Sequence, residues 1–452
     1  MTKSRIFTVW GAILPLLIVL CFGTGCQPTQ GGAQSPMRTP TAPSEDWPTL
    51  TPIPTLTPSL TPQGTPVVKP TPLPEATATP LPPLPLTPVS EEKSGGNLWS
   101  ILYLPLEDEL AIHCVLVDVQ GQRRSEPQVV YDFRKVDPGS HTFLTNLRVA
   151  PTGDRLSVVV SYFESGVVWV LDLESKEAQP VSACDGYQGC AVHDWSADGK
   201  SLIMQRYPHR LVSPEDFVVV DVMANTTTTL LIPETTLTYS SVRQVTFSPD
   251  GKLIAWIVEG QGQEKTTEVW LTDHKGEQGR LLVSEADRVG KVVWHPDGTQ
   301  IAYSLTPEGR PSDIRLLSIT GKEATSLLPA SEPFANPVWA PDGYRVAMTY
   351  CEDVTDKRSF AAQKCAIAVL DRRANAITPR VASPGSMYWG VSWSPDAQML
   401  AFISARDENQ QAIWLVPAET GDSYPISEYV KPYSDYGWLP YSFAEAQKTE
   451  TP

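Results

Sequence analysis

Five aspartates, Asp198, Asp250, Asp297, Asp342 and Asp396, recur at one position of a repeated turn, and a row of carboxylates is the first chemistry to weigh. A calcium loop gathers several oxygen ligands within about a dozen residues. These five lie 45 to 54 positions apart, so that spacing is absent. Each sits in a turn of the type Ser-Pro-Asp-Gly, where Pro presets φ, Asp accepts hydrogen bonds from nearby amides and Gly takes a positive φ. A structural duty is therefore expected. Ala397 replaces the Gly of the last full copy, which should cost roughly 1 kcal/mol if it sits at positive φ. The six histidines, His113, His141, His193, His209, His274 and His295, show no metal-ligand spacing. No Gly-x-Ser-x-Gly elbow, His-Glu-x-x-His helix, paired Cys-x-x-Cys set or phosphate loop is present. The sequence thus singles out no catalytic residue, no metal site and no cofactor.

The turns belong to a longer repeat. An apolar anchor precedes each one: Trp195-Ser-Ala-Asp-Gly, Phe247-Ser-Pro-Asp-Gly, Trp294-His-Pro-Asp-Gly, Trp339-Ala-Pro-Asp-Gly and Trp393-Ser-Pro-Asp-Ala, with weaker copies at Val149 and Trp438. The anchors step by 46, 52, 47, 45, 54 and 45 residues, a spacing that suits four short strands per unit. The last copy supplies only a first strand. Ser100-Ile-Leu-Tyr-Leu, Val115-Leu-Val-Asp and Val129-Val-Tyr read as the second, third and fourth strands it lacks. The expected fold is all-β, a seven-bladed propeller over 97–443 whose N-terminal strands pair with a C-terminal strand, with a disordered tail at 444–452. Six blades is the alternative, and it would leave 436–443 as a tail.

The cadence Trp393-Ser-Pro-Asp-Ala-Gln-Met-Leu-Ala-Phe resembles the TolB-type, or WD40-like, propeller repeat of bacterial envelope proteins. The resemblance covers about 98–443. It implies a propeller that serves as an extracytoplasmic binding platform. The chain departs from the family in carrying a stalk where the small N-terminal α/β domain is expected. Similar repeats form the gating domain of prolyl-oligopeptidase-like enzymes, and no partner hydrolase domain is read from this sequence.

Residues 1–26 read as a lipoprotein signal peptide: Lys3 and Arg5 precede an apolar run from Ile6 to Phe22, followed by Gly23-Thr24-Gly25-Cys26. Cys26 is the expected lipidation site, and an uncleaved membrane anchor is the alternative. The segment 27–96 is a Pro/Thr-rich stalk with too little apolar surface to fold; 18 of the 43 prolines fall between Gln27 and Ser90. Both readings export the rest, which places the propeller on the outer face of a bacterial membrane and permits disulfides. Cys184 and Cys190 bracket one loop and Cys351 and Cys365 another, so local pairing is favoured, with Cys114 as a buried free thiol. A formal charge of -16 argues against nucleic acid as a partner.

Strand directions alternate in a blade, so the Asp-Gly turns mark one face, the bottom. The more variable links lie at the other, the top, where function concentrates on a rigid scaffold. The top loops carry the expected partner-binding residues Tyr187, His193, Arg206, Tyr207, His209, Tyr239, Arg243, Tyr388, Trp389, Tyr433 and Tyr436, because aromatics and Arg suit recognition. The expected function is a non-catalytic, surface-tethered binding or scaffolding lipoprotein, a monomer that engages an extracytoplasmic protein, peptide or glycan. The alternative is a propeller enzyme, such as a polysaccharide lyase or hydrolase, acting at the top of the channel. Mass spectrometry of the mature chain should find a lipid-modified Cys26 at its N-terminus; an intact Met1 on that chain would exclude lipidation.

Overall fold

The seventh first-strand copy, Tyr436–Pro440, pairs antiparallel with Leu98–Tyr103, placing Ile101 opposite Trp438 and Ser100 opposite Leu439. The computed structural model describes residues 98–440, apart from short stretches between strands, the longest being 208–215 and 352–363. The expected signal peptide, stalk and C-terminal tail lie outside the described residues. Among those described, no helix is long and apolar enough to cross a membrane.

The strands form seven four-stranded sheets, six in simple sequence order and a seventh in which the C-terminal strand stands beside the three N-terminal ones. The chain is thus a seven-bladed β-propeller. Blades 1 to 6 span 143–180, 189–230, 240–285, 288–326, 335–384 and 387–425, and blade 7 joins 436–440 to 98–132. The six-bladed alternative fails on the pairing of Trp438 with Ile101.

The apolar interior is divided among the blade seams. Ile101 and Val115 of blade 7 cluster with Met399 and Ile413 of blade 6, while Leu102 and Ile112 on the opposite face of blade 7 cluster with Leu144 and Val158 of blade 1. Five further clusters fill the remaining five seams in the same way. This division follows from period-two alternation: a blade buried on both faces sends successive side chains into successive seams.

Three of the five anchor tryptophans also fasten neighbouring blades, while the indole nitrogens of Trp294 and Trp339 are buried without a hydrogen-bond partner among the described residues. Trp195 Nε1 donates to Arg148 O at 3.3 Å, Trp393 Nε1 to Val338 O at 3.0 Å and Trp438 Nε1 to Ser392 Oγ at 3.0 Å. Each acceptor lies one residue before the anchor of the preceding blade. Trp438 is thereby an anchor like Trp195 and Trp393, although its ring is only partly buried.

The turns obey the expected chemistry. The carboxylates of Asp198, Asp250, Asp297, Asp342 and Asp396 accept from the amides of Lys200, Lys252, Thr299, Tyr344 and Gln398 at 2.8 to 3.2 Å. Ala397 sits at φ 59°, so the strain expected from its sequence is present, while its methyl is buried and offsets part of that cost.

One buried carboxylate supports a link between blades. Glu268 is fully buried and accepts from Thr235 Oγ1 at 2.6 Å, from Trp270 Nε1 at 2.8 Å and from Thr236 Oγ1. Burial by itself raises its pKa, and the three hydrogen bonds overcome that effect and hold the carboxyl below its usual 4.5. A depressed folded-state pKa contributes stability above the unfolded value and loses it as pH falls through the folded one. Glu268→Gln should cost about 1–3 kcal/mol at neutral pH, because an amide nitrogen then faces hydroxyl and indole donors. Denaturant melts at stepped pH should show the gap to wild type narrowing below pH 4.5, the usual value for this carboxyl.

Candidate functional site

The first strand of each blade faces the centre of the ring, and in blades 1 to 6 it carries a register irregularity a few residues before the anchor. The shifts fall between Thr145 and Arg148, Val192 and Asp194, Val242 and Gln244, Val289 and Val292, Ala335 and Val338, and Trp389 and Ser392. A bulge re-aims the side chains around it. Positive φ at Asn146, Asn336 and Gly390 marks three of them. The outcome is a polar lining on strands whose other residues pack into seams.

Four charged groups from four blades converge there: Arg148, Asp194, Lys291 and Asp435. Arg148 Nη2 stands 3.9 Å from Asp435 Oδ2. Asp194 is held by its neighbours, its Oδ2 accepting from Thr246 Oγ1 at 2.7 Å and Phe247 N at 2.9 Å, and its Oδ1 from Trp195 N at 2.9 Å. Burial nevertheless pushes its pKa up against those bonds and against Arg148. Lys291 is reachable by water, yet the surrounding wall desolvates its ammonium. That effect, with Arg148, lowers its pKa against the opposing pull of Asp194 and Asp435.

Lys291 lines two cavities. One, about 340 Å³, opens among the Asp-Gly turns and includes Arg148, His193, Asp194, Gln244 and Thr246. The other, about 230 Å³, includes Asn336, Thr349 and Trp389. Among the described residues no group of three His, Cys, Asp or Glu side chains is placed to hold a metal ion.

The expected partner-binding residues separate into distinct places. Tyr187, His209, Tyr239 and Tyr433 lie outside the described residues. His193 is held by Gln205, Nε2 to Oε1 at 3.1 Å, and meets Phe217 edge-on; burial lowers its pKa. Arg206 pairs with Asp216 on the adjacent strand and reaches Ala183 O. Arg243 lies 3.1 Å from Glu259 and donates to Val289 O in the next blade. Tyr388 is buried edge-on against Phe402. Tyr436 donates to Gly390 O at 2.5 Å and accepts from Ser392 Oγ, bridging blades 6 and 7. Trp389 stands in the channel wall, and Tyr207 is 43% exposed on the top rim.

Sequence reasoning passed over the charged quartet, although a signal was present. Aligned on their anchors, Arg148 and Asp194 fall one position before, and Lys291 and Asp435 three positions before, in or beside the first strand of each unit.

Cys184 and Cys190 form a disulfide between blades 1 and 2. Cys365 is also disulfide-bonded, and Cys351 is the residue opposite it in register. Cys114 is a buried free thiol that burial pushes up to about 11.

No protein-family model matches the chain, and no curated protein does. Solved structures do. A prolyl endopeptidase is similar at a TM-score of 0.55 and 14% identity, over 73% of this chain and 48% of its own, so the match spans about half of that protein's length. An oligogalacturonate lyase in complex with manganese matches at 0.50 and 13%, over 72% of this chain and 95% of its own. TolB from Acinetobacter baumannii matches at 0.42 and 15%, over 77% and 67%. At these identities the first two likenesses show the propeller fold alone.

Peptide mapping without reductant should recover Cys184 joined to Cys190 and Cys351 joined to Cys365, with Cys114 alkylated only after unfolding; any link involving Cys114 would contradict this arrangement.

Proposed function

We propose that this chain is an exported lipoprotein, signal-cleaved and lipidated at Cys26. On this reading the 27–96 stalk carries a monomeric, non-catalytic propeller, followed by a short tail at 444–452, and the top face engages an extracytoplasmic protein, peptide or glycan. The observation that supports it most is how the channel's ionisable groups are engaged. Asp194 accepts three hydrogen bonds from the frame, Arg148 faces Asp435, and His193 is held by Gln205. A general acid or base needs a side chain with a site left open within hydrogen-bond reach of the reacting proton. Asp194 and the Arg148–Asp435 pair instead tie blade to blade, while His193 is braced within blade 2, which keeps a binding surface rigid and lowers the ordering cost of recognition.

The top rim meanwhile presents Tyr207 and the exposed ring of Phe143, and aromatic side chains give large contact area for little entropy. Crosslinking on intact cells, followed by identification of the captured neighbours, should recover an envelope component whose capture Tyr207→Ala or Trp389→Ala reduces. Turnover of envelope polysaccharide by the purified chain, abolished in Asp194→Ala, would overturn the non-catalytic reading.

A further inference from the structure

We propose that the cleft between blades 1 and 2 on the top rim binds an uncharged saccharide chain; this rests on the binding reading above and gives it a ligand class. The cleft holds about 550 Å³, inside the range of roughly 300–1,000 Å³ common for small-ligand sites. Its walls are Phe143, Thr145 and Asn146 from the first strand of blade 1, Ser161, Tyr162 and Ser165 from the hairpin beside it, and Tyr207 with the strand start at Gly189 from blade 2.

No wall residue is charged. That sets the cleft apart from the channel cavity with Arg148, Asp194 and Lys291, and from the outer cavity with Arg155, Asp172 and Lys176. In a chain of formal charge -16, an uncharged recess is where a neutral polyol meets least competition from ionic groups and a polyanion gains nothing.

The lining has the two parts a sugar needs. Phe143 is 40% exposed and Tyr207, whose hydroxyl donates to Gln205 Oε1 at 3.1 Å, is 43% exposed, so both present ring surface to the apolar C–H face of a pyranose; Lys431 covers one side of the Phe143 ring at 5.4 Å. Between them stand short hydroxyl and amide side chains. Thr145 Oγ1 and Ser161 Oγ lie 3.1 Å apart, and each hydroxyl has three hydrogen-bonding sites, so one bond between them leaves capacity for sugar hydroxyls. Asn146 Oδ1 accepts from Val192 N at 2.8 Å, which aims its amide nitrogen, without a protein partner among the described residues, as a donor.

The walls are held in place before any ligand arrives. Asn146 is fixed at φ 52° by that inter-blade bond. Gly189 lies against Gly166 so closely that a Cβ would come within 3.3 Å of the Gly166 nitrogen. The disulfide at Cys190 ties the blade 2 wall. A cleft with fixed walls suits a ligand that forms many weak contacts, since little ordering entropy opposes them.

Isothermal titration calorimetry of the full chain in detergent tests this with maltohexaose, cellohexaose and N-acetylchitohexaose, and with hexagalacturonate as the charged comparator. At least one neutral hexasaccharide should bind. Tyr207→Ala and Phe143→Ala should each weaken it by about tenfold, Tyr207→Phe should leave it within about threefold, and Lys252→Ala, on an exposed Asp-Gly turn away from the cleft, should leave it unchanged. The inference is overturned if none of the neutral probes binds, if hexagalacturonate binds as tightly, or if Tyr207→Ala binds as wild type does. Capture of a protein on cells with no neutral sugar bound defeats this inference and leaves the platform reading standing. A neutral sugar bound and cleaved supports the ligand class and defeats the platform reading.

Discussion

The ring depends on one antiparallel pairing between segments more than three hundred residues apart in the chain, 98–103 and 436–440. Without it, blade 7 would lose its innermost strand and blades 6 and 1 would lose the partner that covers their free faces. Both seams flanking blade 7 draw on these two segments: Ile101 and Tyr103 enter one cluster, Leu102 and Leu439 the other. A linear stack of blades leaves two terminal faces in water, whereas a closed ring leaves none. Loop closure entropy grows only slowly with chain length, so a single well-packed strand can overcome it. The indole of Trp438 adds the same contact to the preceding blade that Trp195 and Trp393 make in theirs.

Closure also explains the chemistry of the centre. Seven first strands brought around one axis cannot interleave large apolar side chains across it, so the channel remains polar and admits water. The bulges in blades 1, 4 and 5 turn Asn146, Lys291 and Asn336 toward that space; Asn146 Oδ1 accepts from Val192 N in the next blade, whereas Asn336 Nδ2 donates to Thr349 Oγ1 within its own. Gln244 donates to Val292 O at 2.7 Å while its own oxygen accepts from Val292 N, a two-bond clasp between blades 3 and 4. Charges in such a place are costly unless paired. Arg148, Asp194, Lys291 and Asp435 sum to zero, which keeps the channel neutral inside an acidic protein.

The repeated turn shows how much variation the frame accepts. Ser196, Ser248 and Ser394 each bond the turn aspartate and accept the amide of the residue that starts the next strand. In blade 4 His295 stands in that position, with Nδ1 2.7 Å from Asp297 and Nε2 2.9 Å from Gly343 O in the next blade's turn. A longer side chain thus keeps the local contact and adds one that crosses a seam.

What the sequence determined by itself was the architecture. Apolar anchors at near-constant spacing, followed by Asp-Gly turns and β-branched runs, specify blades because those preferences are local, and the missing strands of Trp438 could be matched to 98–132 by counting. The buried thiol of Cys114 and the positive φ of Ala397 were legible for the same reason, since each follows from its immediate neighbours. Only the tertiary structure decided which side chains meet. Arg148, Asp194, Lys291 and Asp435 come from four blades and face one another through ring curvature and bulges, neither of which local propensity encodes. Tyr388 and Trp389 are adjacent in sequence, yet one is packed against Phe402 and the other stands in the channel wall, because alternation along a strand sends neighbours to opposite sides. Phe143 and Tyr207 share one cleft because two blades are placed side by side, a fact that exists only once the ring is closed.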